Sequence, residues 1–332
     1  MPELNYILLE STDPARNLAA EQTVFDLLPR DRSYLMLWRN DNAVIIGKYQ
    51  NTLAEINKPY IDAHGIRVVR RLSGGGAVYH DLGNLNYTFI TDAGNTEVMD
   101  LHRFCQPVLR TLAALGVKAE LNGRNDITVD GKKISGSAQY LRSGRIMHHG
   151  TLLFDSDLEI VSQALRVDEE KIRAKGLRSV RSRVANIRPY LPRDCTLPAF
   201  REQLLENLLR EMPGSPYEFS AAELETIDTL RRERYESWDW NYGASRECTI
   251  FKRARFEGCG TVEAHISLDA GRIKELRFTG DFFSLREPEE LAARLTGARL
   301  EAEDLRGALA GADVRQYFTG LTGDALLSLL CS

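Results

Sequence analysis

"RRLSGGGAVYHDLGNLNYT", residues 70–88, sets two arginines, a leucine and a serine directly ahead of three consecutive glycines. Glycine lets backbone N–H groups approach a ligand with no Cβ in the way, and it tolerates positive φ. Consecutive N–H groups that face one point form an anion nest. Arg70 and Arg71 end the β-branched run "IRVVRRL", which reads as a strand. Their side chains therefore point to opposite faces, and one of them can reach back over the loop. The stretch suits a carboxylate or a phosphate. Three glycines alone also fit a tight turn with surface arginines. No Walker lysine follows, and Tyr79 stands where the last glycine of G-x-G-x-x-G belongs, so this is neither a P-loop nor a dinucleotide fingerprint.

The flanks read as a mixed α+β chain. "YLMLWRNDNAVIIGKYQN" holds two apolar runs split by Asn-Asp-Asn, two strands and a turn. "LNYTFIT" is a strand, and "MDLHRFCQPVLRTLAALGVKAEL" a helix that stops near Gly116 and leads into a strand. "DITVDGKKIS" signals a hairpin, because Asp130-Gly131 suits a type I′ turn. Two amphipathic helices are expected within 157–175, then helices at 198–212 and 221–236. From about Cys248 three alternating strands follow, with turns at Glu257-Gly258 and Asp269-Ala270-Gly271, and then helices near 287–296 and 301–309. The aromatic, turn-rich "RYESWDWNYG" precedes this unit. The expected division is a catalytic domain over 1–246 and a small accessory domain over 247–332.

Length and composition fit that division. A chain of 332 residues exceeds one compact core. A net charge of −4 argues against a general nucleic-acid binder. The five cysteines, Cys105, Cys195, Cys248, Cys259 and Cys331, are scattered and form no C-x-x-C, so they read as reduced thiols of a cytoplasmic protein. "MPELNYILLESTDPARNLAAEQ" carries Glu3 and Glu10 and reads as neither signal peptide nor membrane span.

Two further stretches carry chemistry. The Asp130-Gly131 turn puts Lys133 at the start of a strand, and period-two alternation sets Lys133, Ser135 and Ser137 on one face, with Ile134, Gly136 and Ala138 on the other. This is either a solvated strand face or a lysine aimed into a hydroxyl-lined pocket, where a compact point charge stabilises phosphoryl or carboxylate oxygens. "KIRAKGLRSVRSRVANIRPYLPR", residues 171–193, has eight Lys/Arg and no Asp or Glu in an acidic chain. A basic helix face, a basic partner-binding surface, or a mobile loop that closes over a nucleotide would each account for it.

Taken in order, "RRLSGGGAVYHDLGNLN", "GRNDITVDGKKISGSAQY", "HHGTLLFDSDL", "KGLRSVRSRVANI" and "ESWDWNYG" resemble the lipoate–protein ligases across nearly the whole chain. The resemblance implies a mixed sheet flanked by helices, shared with biotin ligases, plus a small C-terminal domain. It implies that Arg71, Ser73, Gly74, Gly75 and Gly76 line the lipoate and adenylate pocket, together with Ser135, His149, Gly150 and Thr151. It implies that Gly76, Ala77, Val78 and Tyr79 contact ATP, and that Lys133 touches both the lipoyl carboxyl and the phosphate. Lys175 to Arg183, with Ser179, Val180, Arg181 and Ser182, would form the adenylate-binding loop. Asn125 and Asp126 match the "GRND" element, and Asp126 would help hold Mg²⁺.

The chemistry implied is attack of the lipoate or octanoate carboxylate on the α-phosphate of ATP, release of pyrophosphate, and acyl transfer to a lysine. The acceptors implied are lipoyl domains of 2-oxoacid dehydrogenase E2 subunits and the glycine cleavage H protein, with no nucleic acid or membrane involved. Two rivals share the fold. An ATP-independent lipoyl or octanoyl transferase needs a reactive cysteine, and none of the five lies in these motifs. A biotin–protein ligase has a related loop, but "SGGGAVYHDLGNLN" is closer to the lipoate enzymes. A binding or scaffold protein on this fold would be expected to lack the lysine or the loop arginine.

Overall fold

The structure, a computed structural model, describes residues 3–93, 101–123, 125–165, 184–192, 194–243, 250–269 and 272–331. Its strands are β1 (Glu3–Leu8), β2 (Arg32–Trp38), β3 (Ala43–Ile46), β4 (Arg67–Arg70), β5 (Val78–His80), β6 (Asn84–Asp92) and β7 (Glu120–Asn122). There follow β8 (Asp126–Val129), β9 (Lys132–Arg142), β10 (Arg145–Leu153), β11 (Gly214–Pro216), β12 (Ile250–Phe256), β13 (Gly260–Asp269) and β14 (Arg272–Gly280). Eight of them form one sheet, in the order β11-β1-β2-β6-β10-β9-β8-β7. It is mixed: β1 pairs in parallel with β2 and β11, whereas the β2–β6, β6–β10 and β10–β9 pairings are antiparallel.

Alternation along the central strands builds two layers. Leu35, Leu37, Leu85, Tyr87 and Phe89 face the Leu101–Ala114 and Leu197–Glu211 helices, through Val108, Leu112, Phe200 and Leu204. Tyr34, Met36, Trp38, Ile90 and Met147 face the Pro14–Leu27 helix, through Leu18, Val24 and Phe25. That helix starts sharply. Asp13 caps it by accepting from the amides of Ala15 and Arg16, and Pro14 fills its first turn. Its other end is closed from the sheet. The buried Arg145 guanidinium donates to the carbonyls of Phe25 and Leu28, both at 2.8 Å, and to that of Pro29 at 3.3 Å. These are helix-end carbonyls with no partner in the helix itself.

Two three-stranded sheets complete the frame. In the order β4-β3-β5, β3 pairs in parallel with β4 and antiparallel with β5. The two expected strands of the "YLMLWRNDNAVIIG" stretch therefore exist but belong to different sheets. The glycine loop, residues 71–77, connects the outer strands across β3. The second small sheet, β12-β13-β14, packs on the Pro288–Leu295, Ala302–Ala308 and Gly323–Cys331 helices. The first expected amphipathic helix of 157–175 is observed as Leu158–Ala164; the second, like residue 246, lies outside the described residues. No described helix is long and apolar enough to cross a membrane.

Candidate active site

The two arginines ahead of the glycines do different work. Arg70 is a structural clasp. It donates to the carbonyls of Gly47 (2.8 Å), Lys48 (3.0 Å), Gln50 (2.7 Å), Trp240 (2.9 Å) and Asn241 (3.1 Å), and to the Thr52 hydroxyl (2.6 Å). Arg71 instead reaches back over the loop, donating to the carbonyls of Ile45 (3.2 Å), Gly74 (2.6 Å) and Gly76 (2.9 Å) and to Ser73 Oγ (3.0 Å). Burial pulls both guanidinium pKa values down to about 10, which still leaves them charged at neutral pH.

The glycines are required by what presses on the loop. Gly75 sits at φ +89°, where an L side chain is strained. A Cβ on Gly74 would stand 2.3 Å from the carbonyl oxygen of Phe282. The C-terminal unit makes this contact directly: the Gly75 amide donates to Phe282 O at 3.2 Å, and the Phe282 ring stacks on Tyr49 with centroids 4.9 Å apart.

Under the loop lies a cavity of about 120 Å³, walled by Leu18, Trp38, Ile45, Arg71, Gly75, Gly76, Ala77, Val78, His80, Asn86, Asn125, Lys133, Gly136, Ser137, Ala138, His149, Gly150 and Thr151. It opens toward a larger cleft lined by Tyr79, Asp126, Thr128, Leu158 and Val161, and by the β12–β13 turn of the C-terminal unit at Arg255–Gly258. Ala77, Val78, Asn125, Lys133 and Thr151 line both spaces. Burial raises the Tyr79 phenol to about 12, so it is a neutral donor, given to Asn42 Oδ1 at 3.1 Å.

The lysine strand departs from simple alternation. Thr128 pairs with Lys133 and Ile127 with Ser135, so Ile134 is the extra residue of a β-bulge. The bulge puts Lys133 with Gly136 on the cavity side and turns Ser135 the other way, into the buried interior. The Lys133 ammonium pairs with Asp126 Oδ1 at 2.8 Å, and both remain partly open to solvent.

The cavity and cleft thus gather Arg71, Gly75, Gly76, Ala77, Val78, Tyr79, Asp126, Lys133, His149, Gly150 and Thr151. Ser73, Gly74 and Ser135 stand behind the wall. Lys175, Ser179, Val180, Arg181, Ser182 and Arg183 lie outside the described residues. Sequence reasoning passed over Glu21, which is 2% exposed on the Pro14–Leu27 helix and accepts from Thr88 Oγ1 at 2.7 Å and His149 Nδ1 at 2.9 Å. A signal was available, since Leu18, Glu21 and Phe25 fall at i, i+3 and i+7 on the face that must be core. Phe282 also went unnoticed, because nothing local in its segment points to a loop more than two hundred residues earlier.

The glycine loop thus roofs a cavity that opens toward a larger cleft, with Lys133 where the two spaces meet. Comparison with known proteins identifies the family. Residues 13–209 match the lipoyl protein ligase A/B catalytic domain, and residues 245–330 match the bacterial lipoate protein ligase C-terminus. Lipoate-protein ligase LplJ of Bacillus subtilis is 42% identical over 321 residues, covering 96% of this chain and 97% of that protein. The bi-partite lipoate protein ligase of Thermoplasma acidophilum, studied with its E2 lipoyl domain, is 29% identical, with a TM-score of 0.65 over 75% of this chain and 100% of that chain. A lipoate-protein ligase A bound with ATP is 28% identical, with a TM-score of 0.63 over 73% of this chain and 100% of that one. The chain belongs to the lipoate–protein ligase family and is an enzyme of the ligase class.

Proposed function

We propose that this chain performs the family's reaction in two steps at the junction of cavity and cleft. The observation that carries the reading is that Lys133 lines both spaces. The cavity takes the acyl chain of lipoate, and the cleft takes ATP. In the first step a carboxylate oxygen bonds to the α-phosphorus of ATP, the bond to the β-phosphate oxygen breaks, and pyrophosphate leaves. In the second, a neutral acceptor lysine attacks the acyl carbon, AMP leaves with the electron pair of the C–O bond, and the amine gives up a proton.

The first step brings two anions together. The Lys133 ammonium and the loop amides lower that repulsion where charge develops. Arg71 contributes mainly by holding the loop in shape, since its donors are turned onto loop carbonyls. Gly76, Ala77, Val78 and Tyr79 form the nucleotide side, and His149, Gly150 and Thr151 the acyl side. The basic segment from Lys175 to Arg183 supplies further countercharge to the adenylate. Mg²⁺ would be held in the cleft through Asp126, because this ion binds through one or two carboxylates plus substrate phosphates. When bound, it neutralises phosphate charge.

Residues 1–246 form the catalytic unit and 247–332 the accessory one. The acceptors are lipoyl domains of 2-oxoacid dehydrogenase E2 subunits and the glycine cleavage H protein, and the enzyme works in the cytoplasm. Pyrophosphate release with lipoate, octanoate or biotin, followed by transfer to each purified acceptor, tests the reading. Lipoate- or octanoate-dependent release is expected. Release with biotin alone, or acyl transfer from a carrier without ATP, would replace it.

A further inference from the structure

A chain of buried hydrogen bonds runs behind the acyl cavity. Trp38 Nε1 donates to Thr88 Oγ1 at 2.9 Å, and Thr88 Oγ1 donates to Glu21 Oε1 at 2.7 Å. Glu21 Oε1 lies 2.9 Å from His149 Nδ1. On the far side of the ring, His149 Nε2 lies 2.6 Å from Ser73 Oγ, which accepts from Arg71 Nε at 3.0 Å. Trp38, Arg71 and His149 face the cavity. Glu21, Thr88 and Ser73 are at most 2% exposed and stand behind it.

The two ends of the chain act in one direction only. A guanidinium only donates, and a carboxylate only accepts. A neutral imidazole has one donor and one acceptor nitrogen. Glu21 takes the donor, so Nε2 accepts and Ser73 must donate to it. Ser73 then spends its proton on His149 and one lone pair on Arg71. It has no proton left for a lipoyl carboxylate.

We propose that Glu21 is a positioning residue for the ligase reaction: it fixes His149 as the Nδ1–H tautomer, and through Ser73 fixes the Arg71 guanidinium that shapes the glycine loop. Ser73 is then a link in this chain and not a donor to the acid. This rests on the ligase reading above, but its first test does not. Thr88 anchors the carboxylate from the sheet, so Glu21 cannot swing away from His149 without losing a second bond.

The tautomer is read in the substrate-free, full-length protein by ¹⁵N NMR of labelled histidines, with the His149 signal assigned by its loss in His149→Asn. A protonated Nδ1 and a bare Nε2 are expected. A bare Nδ1, or protons on both nitrogens, overturns the proposal whatever the enzyme's activity. Glu21→Gln keeps an oxygen acceptor, so it should keep the tautomer and most lipoate-dependent pyrophosphate exchange. Glu21→Leu should lose the tautomer and about 10²-fold in exchange, the scale of a small misplacement in a site. Should Glu21→Leu fail to fold, Ser73→Ala cuts the same chain one link later: exchange falls while His149 keeps its Nδ1 proton. A folded Glu21→Leu or Ser73→Ala protein with wild-type exchange overturns the proposal, as does a Glu21→Gln protein as impaired as Glu21→Leu. Absence of lipoate-dependent exchange in the wild-type protein would instead sink the ligase reading and leave the tautomer result standing.

Discussion

The ammonium nitrogen of Lys133 lies 2.5 Å from the point where a Cβ on residue 136 would stand, so Gly136 is the seat on which the lysine head group rests. The bulge at Ile134 creates this seat by setting residues 133 and 136, three apart, on one side of the strand. Gly136 has no positive φ, so alanine fits the backbone and only the lysine must give way. Gly136→Ala should keep the fold and lose about 10²-fold in lipoate-dependent pyrophosphate exchange. Lys133→Ala should lose at least as much, since it removes an aimed charge. The double variant should be no worse than Lys133→Ala alone, because both act through one ammonium. Full additivity of the two losses would show that Gly136 serves some other end.

Arg70 separates stability from chemistry. Its donors serve five carbonyls and a hydroxyl from two segments of chain, all within the protein. Lysine offers three donors at one point and cannot span them. Arg70→Lys should cost about 3 kcal/mol in urea unfolding, the scale of a buried charge network left partly unsatisfied. An unchanged urea midpoint would mean that water or neighbouring groups take over those carbonyls.

The strands, most helices and the glycine loop were legible because their signals are local: β-branched runs, helical spacing and the Asp130-Gly131 turn, whose two residues take φ of 51° and 73°. Facing on the lysine strand was not legible. A bulge depends on how Asp126–Val129 registers against Lys132–Arg142, and alternation alone cannot reveal that. The resemblance brought Lys133, Arg71 and His149 into the site. It did not bring Glu21, because a buried acid on a helix shows its partners only when distant strands assemble beside it. The sharing of labour between Arg70 and Arg71 was likewise hidden. Both arginines read alike in sequence, and only the carbonyls around them tell clasp from loop-former.

Cys105 is the described cysteine nearest the cavity, its Sγ 3.6 Å from Ser137 Oγ and 3.8 Å from His148 Nε2. A transferase cysteine needs a thiolate, and a neighbouring imidazolium is a common way to supply one. His148 cannot do so at neutral pH. Burial, and then the nearby His149, hold its pKa down to about 3. Cys105→Ala should therefore leave ATP-dependent lipoyl transfer essentially intact. An acyl thioester trapped on the wild-type enzyme and absent from Cys105→Ala would turn the reaction into the cysteine-dependent transfer.

The same low values make the fold sensitive to acid. Burial, helped by the Arg71 charge, holds His80 at about 3, and burial holds His148 at about 3 as well. In the unfolded chain both titrate near 6.5. Between those limits the unfolded state binds more protons than the folded one, so unfolding free energy rises with pH and falls on acidification. Above about pH 6.5 neither histidine costs anything. Below it each should remove about 1.4 kcal/mol per pH unit, until the folded-state values near 3 are reached. Burial pushes the Glu223 carboxyl up, but hydrogen bonds from Ser220 and Tyr217 together outweigh it and hold it below its ordinary value, so it adds a further loss only at the acid end. Urea midpoints from pH 7.5 to 4.5 should therefore drop steeply once pH passes below 6. His148→Gln removes one such group while His80 and His265, which burial also lowers, remain, so its curve should fall less steeply over the same window, whatever its stability at pH 7.5. Parallel curves for the two proteins would mean that His148 takes up its proton in the folded state, and that its pocket beside Phe104 and Gln139 opens to water more readily than its burial implies.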